Sequence, residues 1–384
     1  MGRQLENSEA LKRNSGRLLF VLHVLVRWVL IVLFRIKEII LIVCDGGRFN
    51  DLPVSVNYYP RGLGIEVANL CNANCVFCSY QYRQRPLQFM SQENFEKIIL
   101  DYVRIGGGKG GIGLTPVVGD PLLDRDLVRK ISFARAFSQM HDIHLTTNAI
   151  MLTKELFEKL VDAGLTMMTI SMSGFDPVEY KRIYRTPAYD KVLANLRAIA
   201  SSERFKKCQV EIGLRTDSLF HWFKKEYWEL RSYGFKISRN WFFDDWSGRI
   251  RQEDLSHFMF LRPERQSKRV PCWILYQSPQ VLADGEVTAC GCRDLEGTSE
   301  LRLGNIHERS LAEILDEKKL EILRNRFLEG NPPDVCRDCK FYTPMTRARH
   351  RQGLIEQNTG KNITRERIGN DSTPVDHVFK YLKG

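Results

Sequence analysis

The stretch CNANCVFC, residues 71–78, places Cys71, Cys75 and Cys78 at a C-x3-C-x2-C spacing directly after an alternating apolar run, GLGIEV. Thiolates are soft ligands, and four of them close the coordination of an iron–sulfur cluster that only carries electrons or holds structure. Three leave one iron of a 4Fe-4S cluster open. An open coordination position is what a metal site needs to act on a further molecule. A zinc site would want a fourth Cys or His nearby, and the following SYQYRQR supplies neither. Three cysteines serving only as core residues would sit oddly in a segment that also carries Asn72 and Asn74.

The last third of the chain holds a second group: Cys272 and Cys290 in PCWILYQSPQVLADGEVTAC, then Cys336 and Cys339 in PPDVCRDC. Four thiolates can fill every position of another 4Fe-4S cluster, and the same four could make an all-cysteine zinc site. Cys292 is a spare beside Cys290, able to replace it as a ligand or to line the site. Cys44 and Cys208 read as ordinary small buried residues.

These groups need elements to position them. From residue 62 to about 243 the chain repeats a strand-then-helix rhythm, with candidate strands LGIEVANL, GIGLT, DIHLTTN, LTMMTISMS, CQVEIGLR and FKISRNWFF. Helical patterns such as SQENFEKIILDYVRI and TKELFEKLVDAG follow the first five, with Ser91 and Thr153 at helix starts. Alternation of this kind predicts an α/β fold with a parallel sheet and right-handed crossovers. In such sheets reactive groups gather at the carboxyl ends of the strands, and the three-cysteine loop follows the first strand.

At these residues the chain resembles the radical S-adenosylmethionine (radical SAM) enzymes, whose C-x3-C-x-aromatic-C loop follows the first strand of a partial (β/α)6 TIM-type barrel. Phe77 stands at the aromatic position, and the resemblance runs over roughly residues 60–345. It implies that Cys71, Cys75 and Cys78 hold a 4Fe-4S cluster whose open iron chelates the methionine part of SAM. Reductive cleavage then gives a 5′-deoxyadenosyl radical that abstracts a substrate hydrogen. VVGDPLLD resembles the family's Gly-Gly-Glu-Pro segment, with Val118 for a glycine and Asp120 for the glutamate, so Gly119 and Asp120 become cofactor contacts by implication. TTNAIML resembles the T-N-G-x-x-L strand, which implicates Asn148 and puts Ala149 where glycine is usual. ISMSGFDP resembles the I-S-x-D-G strand; Ser171 matches, while Ser173 replaces the aspartate and does not take over its role. The second cysteine group resembles the auxiliary-cluster extension called SPASM, or its shorter form called twitch. The full pattern has seven cysteines, so one auxiliary 4Fe-4S cluster on Cys272, Cys290, Cys336 and Cys339 is expected. No individual catalytic side chain is assigned.

The 384 residues carry a net charge of +11 with 43% apolar residues, which is enough for a sizeable core and suits an anionic partner. Eight of the ten cysteines fall in the groups above and no cleavable signal opens the chain, so a reduced, cytoplasmic setting is expected. Residues 18–43 are apolar but broken by His23, Arg27, Arg35, Lys37 and Glu38. The longest uninterrupted apolar stretch, Trp28 to Phe34, is far short of the roughly 18 residues of a span. At about 100° per residue these polar groups, with Lys12, Arg13 and Arg17, share one sector, which fits an amphipathic helix on an anionic membrane surface. A helix packed on the chain's own body or on a twin subunit, or a true span, are the alternatives. The expected organisation is a membrane-associated helix in 1–50, a radical SAM partial barrel in 51–255, a cysteine-rich iron–sulfur extension in 256–345 and a polar basic tail in 346–384. That tail has few aromatics between its cations, so no nucleic-acid role is expected.

Three functional classes compete: a radical enzyme, a two-cluster electron-transfer protein and a zinc-stabilised interaction protein. The first is favoured, because an electron-transfer module needs four cysteines per cluster and one group here stops at three. Its partners would be a reductant such as flavodoxin or ferredoxin and an anionic membrane surface on the inner face. No leader-peptide-binding domain is expected ahead of the barrel. The substrate expectation is therefore a carbohydrate or lipid-linked cell-envelope precursor, with a ribosomally made peptide as the alternative.

Overall fold

The computed structural model describes residues 21–40 and 62–354, apart from residue 38 and short internal gaps at 107–109, 116, 265–267, 278, 317, 348 and 352. The expectations for Cys44, for Lys12, Arg13 and Arg17, and for most of the polar tail lie outside the described residues.

Six strands alternate with helices as the apolar periodicity predicts: β1 (Gly62–Ile65), β2 (Gly110–Gly113), β3 (Met140–Thr147), β4 (Met167–Met172), β5 (Gln209–Leu214) and β6 (Lys236–Arg239). They pair in parallel in chain order, with registers such as Leu63↔Ile112 and Thr147↔Ile170. After helix α1, residues 21–40, come α2 (Gln92–Gly106), α3 (Leu127–Arg135), α4 (Lys154–Asp162), α5 (Pro177–Tyr184), α6 (Tyr189–Ala200) and α7 (Lys225–Ser232) as the crossovers. Ser91 Oγ accepts from Asn94 N at 3.1 Å and Thr153 Oγ1 from Leu156 N at 3.1 Å, so both anticipated helix starts are capped. The strand interiors, Leu63, Ile65, Ile112, Ile143, Leu145, Met168, Ile170, Ile212 and Leu214, are almost fully buried against the helices. Fully covered faces are what a parallel sheet requires.

Among the described residues the sheet does not close, because β1 turns its other edge to the C-terminal part of the chain. There β9 (Gln280–Val281) pairs parallel with β1, and β10 (Glu286–Thr288) and β11 (Arg302–Asn305) continue antiparallel, giving nine strands in the order β11-β10-β9-β1-β2-β3-β4-β5-β6. The short strands β7 (Phe242–Phe243) and β8 (Phe260–Leu261) form a separate pair. The cysteine-rich extension thus adds strands to the same sheet.

Helix α1 lies on this body through Leu22, Val26, Leu30 and Phe34, which pack with Phe258, Phe260, Leu219, Trp241 and Phe242. Part of the polar sector read from its sequence is spent on the same contact: His23 meets the Phe260 ring at 5.1 Å, and Arg35 Nη2 donates to the Glu264 carbonyl at 2.7 Å. Among the described residues no helix is long and apolar enough to cross a membrane.

Candidate functional site

The carboxyl ends of β1 to β6 surround a cavity of about 420 Å³. Its wall includes all three loop cysteines together with Phe77, Gly119, Asp120, Asn148 and Ser171, so every site residue expected in this half of the chain reaches one place. A larger depression of about 520 Å³, beside Glu300, Lys318 and Arg326, contains no cysteine.

The cysteine loop is fixed by its backbone. Asn74 N and Val76 N donate to the carbonyls of Tyr184 and Ile183 at 3.2 and 2.9 Å, and Cys78 N donates to Cys75 O at 3.1 Å. Cys78 caps a short 3-10 turn, its sulfur accepting from Tyr80 N at 3.5 Å. Phe77 is wedged between Tyr184, with ring centroids 5.6 Å apart, and Phe243 at 5.5 Å, and the Arg215 guanidinium lies 5.4 Å from its ring centre. Burial pushes the Cys71 thiol up to about 12, with Asp120 adding to the shift. Burial also lifts Cys75 and Cys78, and for Cys75 the other two thiols raise it further. Three thiols gathered in a dry wall resist ionisation unless a positive centre stands among them; a bound metal cluster supplies that charge, and coordinated thiols ionise outright. The donor set therefore fits an iron–sulfur group.

Asp120 acts as a clamp. It is buried, and its oxygens accept from Thr147 Oγ1 at 2.9 Å, Asn148 N at 2.8 Å and Leu122 N at 3.0 Å. Burial raises its pKa against those donors. The result is to set Asn148, whose Nδ2 donates to Asn72 Oδ1 at 2.7 Å and lies 3.7 Å from the Cys71 sulfur. Gly119 before it has φ +97°, and a Cβ there would stand 2.1 Å from the Ala68 carbonyl oxygen. Ala149, in the place where glycine was expected, also adopts a left-handed backbone at φ 60°. Ser171 Oγ shares a 2.8 Å hydrogen bond with the Tyr184 hydroxyl.

The second group is assembled from separated segments. Cys272 is bridged to Pro344, Cys339 N donates to Cys336 O at 3.2 Å, and Arg293 N donates to Cys290 O at 3.2 Å. Burial raises Cys336 well above its usual range, and Cys290, Cys272 and Cys339 raise it further, so the four thiols sense one another. Cys290 is raised first by its hydrogen bond with Cys292. Among the described residues no three His, Cys, Asp or Glu groups converge closely enough for a single metal ion.

Sequence reasoning missed the residues that join the two groups. Trp246 lines the cavity and donates from Nε1 to the Phe77 carbonyl at 3.1 Å. Its neighbours Asp244 and Asp245 both meet Arg293, which is 1% exposed at the side chain, and Lys340 lies 3.2 Å from Asp245. Trp246, Ser247 and Gly248 all have positive φ, so the turn is held against its backbone preference. The only sequence sign was the turn-like run DDWSG. Arg215, at the end of β5, also lines the cavity and was not singled out.

Residues 65–216 match the family described as the radical SAM superfamily, and residues 272–340 match the iron–sulfur cluster-binding domain SPASM. The chain therefore carries a radical SAM domain followed by a SPASM domain. The first domain implies a 4Fe-4S cluster and SAM, and the second an auxiliary iron–sulfur cluster. A GTP 3',8-cyclase of Lactiplantibacillus plantarum is 31% identical over 156 residues, covering 39% of this chain and 44% of that one. A probable GTP 3',8-cyclase of Methanococcus maripaludis is 36% identical over 124 residues, covering 32% and 40%. This chain thus spans less than half the length of these relatives. Among solved structures, BtrN in complex with AdoMet and 2-DOIA aligns with TM-score 0.50 at 16% identity, over 72% of this chain and 92% of that one. Streptococcus suis SuiB bound to precursor peptide SuiA aligns with TM-score 0.50 at 12% identity, over 75% and 71%. At such identities the likeness is one of fold.

Proposed function

We propose that this chain is a radical SAM enzyme in which Cys71, Cys75 and Cys78 hold the SAM-binding 4Fe-4S cluster. The observation that carries the reading is the single cavity into which the three thiols, Gly119, Asp120, Asn148, Ser171 and Arg215 all open. When bound, the cluster and SAM supply an electron and a scissile carbon–sulfur bond, and so a carbon radical able to remove hydrogen from a substrate. The protein's own part is to hold and to exclude. Asp120 locks Asn148 beside Cys71, the Gly119 backbone closes the wall, and Phe77, Tyr184 and Phe243 keep water from the reacting space. Arg215 offers a cation to an anionic group in the cavity. Cys272, Cys290, Cys336 and Cys339 are proposed to hold one auxiliary 4Fe-4S cluster, with Cys292 beside Cys290.

The domain reading remains a helix in 1–50, the radical SAM part in 51–255, the auxiliary-cluster part in 256–345 and a basic tail. The substrate proposed is a carbohydrate or lipid-linked envelope precursor, met on the inner face of the cytoplasmic membrane, with a flavodoxin- or ferredoxin-type reductant. The substrate named in the curated relatives is not carried over, since the match takes in 44% of the first one's length. Anaerobic reconstitution followed by a 5′-deoxyadenosine assay tests the class. Replacing Cys71, Cys75 or Cys78 by Ala should abolish SAM cleavage. Replacing Cys336 or Cys339 should leave uncoupled cleavage while product formation stops. Turnover retained in both sets would overturn the two-cluster mechanism.

A further inference from the structure

The face of α1 turned away from the body is apolar. Val21, Val24, Leu25, Trp28, Val29, Ile36, Ile39 and Ile40 recur at helical spacing and are all exposed, Trp28 by 64% and Leu25 by 55%. Such a stripe on one helix is by itself ambiguous. A second apolar feature lies beside it. Leu219 packs into the cluster that seats α1, and the residues that follow it rise from the surface: Phe220 is 55% exposed and Phe223 76%. Trp222 and Trp228 complete the patch, with Phe220 and Trp222 rings 5.8 Å apart and Trp228 Nε1 donating to Trp222 O at 2.8 Å. Phe220, Trp222 and Phe223 stand on a short 3-10 turn and Trp228 on the first turns of α7, so they present wedges to a partner where a peptide groove would present a recess.

The chemistry around them is cationic. Arg27 is exposed on α1, Lys224 and Lys225 follow Phe223 directly, and the whole chain carries +11. Tryptophans at the edge of an apolar patch ringed by cations match the headgroup boundary of an anionic bilayer. The position relative to the cavity adds the functional link. Phe242 packs in the α1 seat, its ring 5.7 Å from Phe34, and also lines the cavity. Arg215 on the cavity wall lies five residues before Phe220, on the loop leaving the same carboxyl end of β5.

We propose that the outer face of α1 and the Phe220–Phe223 loop form one surface that docks on an anionic lipid bilayer beside the cavity mouth. The molecule that yields its hydrogen is then presented from the membrane, which narrows the substrate class to lipid-linked molecules and rests on the radical SAM reading above.

The test uses the full-length holoprotein with vesicles of phosphatidylglycerol and phosphatidylcholine. The wild type should co-sediment with phosphatidylglycerol vesicles, and acyl-brominated lipid should quench its tryptophan fluorescence. The double variant Phe220→Ser/Phe223→Ser, with Trp28→Ser as a separate arm, should lower the partition coefficient by about tenfold or more. All three side chains are exposed, so unchanged circular dichroism is expected and separates lost docking from lost folding. Two results would overturn the proposal: vesicle binding that the double variant leaves intact, and absence of vesicle binding with a dimer that the same variant dissolves. Binding is read without turnover. A chain that cleaves SAM but ignores vesicles sinks the docking alone; one that binds vesicles but never cleaves SAM sinks the radical reading.

Discussion

Gly119 shows how little room the cavity wall leaves. Its φ of +97° already disfavours any side chain, and an added Cβ would come within 2.1 Å of the Ala68 carbonyl oxygen, which cannot swing away because it is backbone. Gly119→Ala should therefore cost more than the roughly 1–2 kcal/mol of the left-handed conformation alone. The wall would open between β1 and β2, and SAM affinity measured by equilibrium dialysis should fall even where iron content is retained; unaltered affinity would contradict the placement. His221 gives a pH-dependent case. Burial, with a smaller push from Arg239 and against a bond to the Ser218 backbone, lowers its pKa to about 4. Trp222 and Tyr227 flank its ring. The folded state thus prefers neutral His221, while the unfolded chain protonates near pH 6.5. Stability is complete above that value and declines as pH falls toward 4, by about 2–3 kcal/mol in all. His221→Phe should flatten this acid limb in urea-unfolding midpoints taken from pH 6.5 to 4.5. An equal decline in both proteins would exclude His221 as its source.

At the scale of elements, the turn from Asp244 to Gly248 ties the two cysteine groups together. Trp246 reaches Phe77 between Cys75 and Cys78, while Asp244 and Asp245 hold Arg293, the residue after Cys292. Arg293→Met keeps the volume but takes the shared cation from two buried carboxylates and leaves Lys340 beside Asp245, a loss of about 3–5 kcal/mol. Iron in the auxiliary site should drop, and the variant's SAM cleavage should persist in uncoupled form. Full iron content with an unchanged melting point would show the turn to be incidental. Sequence could not reveal this tie, because a five-residue turn has no periodicity and its partners lie 46 to 169 residues away. What was legible followed from local pattern. The cysteine spacing, the strand alternation and the caps at Ser91 and Thr153 are each set by neighbours a few residues apart. Helix α1 was legible as a helix, but its docked stripe was not, since Leu22, Val26, Leu30 and Phe34 differ in no local property from the exposed apolar residues between them.

For the whole molecule, the decisive fact is that β1 stands in the middle of the sheet. Its neighbour β2 is the next strand in the chain while β9 lies more than 200 residues on, and Gly64 N and Glu66 N donate to Pro279 O and Val281 O at 3.0 and 2.8 Å. Strands β9 to β11 are not among the six read from the sequence, so the sequence divides near 255 while the hydrogen bonds do not. Glu66 makes the division costly. Its carboxylate is wholly buried, raised by burial and opposed by Arg85, whose Nη2 donates at 2.9 Å, while Ala283 N adds a 3.0 Å bond. Arg85 in turn depends on the extension, donating to Leu295 O at 2.9 Å and to Asp284 at 3.3 Å. The first turn of the helix Leu311–Asp316 is held by Asp101 on α2, 2.9 Å from Leu311 N. A chain ending at residue 262 would lose all of these partners at once and bare the β1 edge, an invitation to aggregate. Such a truncation should not yield a soluble monomer that unfolds cooperatively, whereas full-length Cys336→Ala, lacking only one ligand, should. Recovery of a soluble truncated chain with the iron of the first group would show that the radical SAM part folds alone, and would make the Glu66–Arg85 link an ornament of the interface.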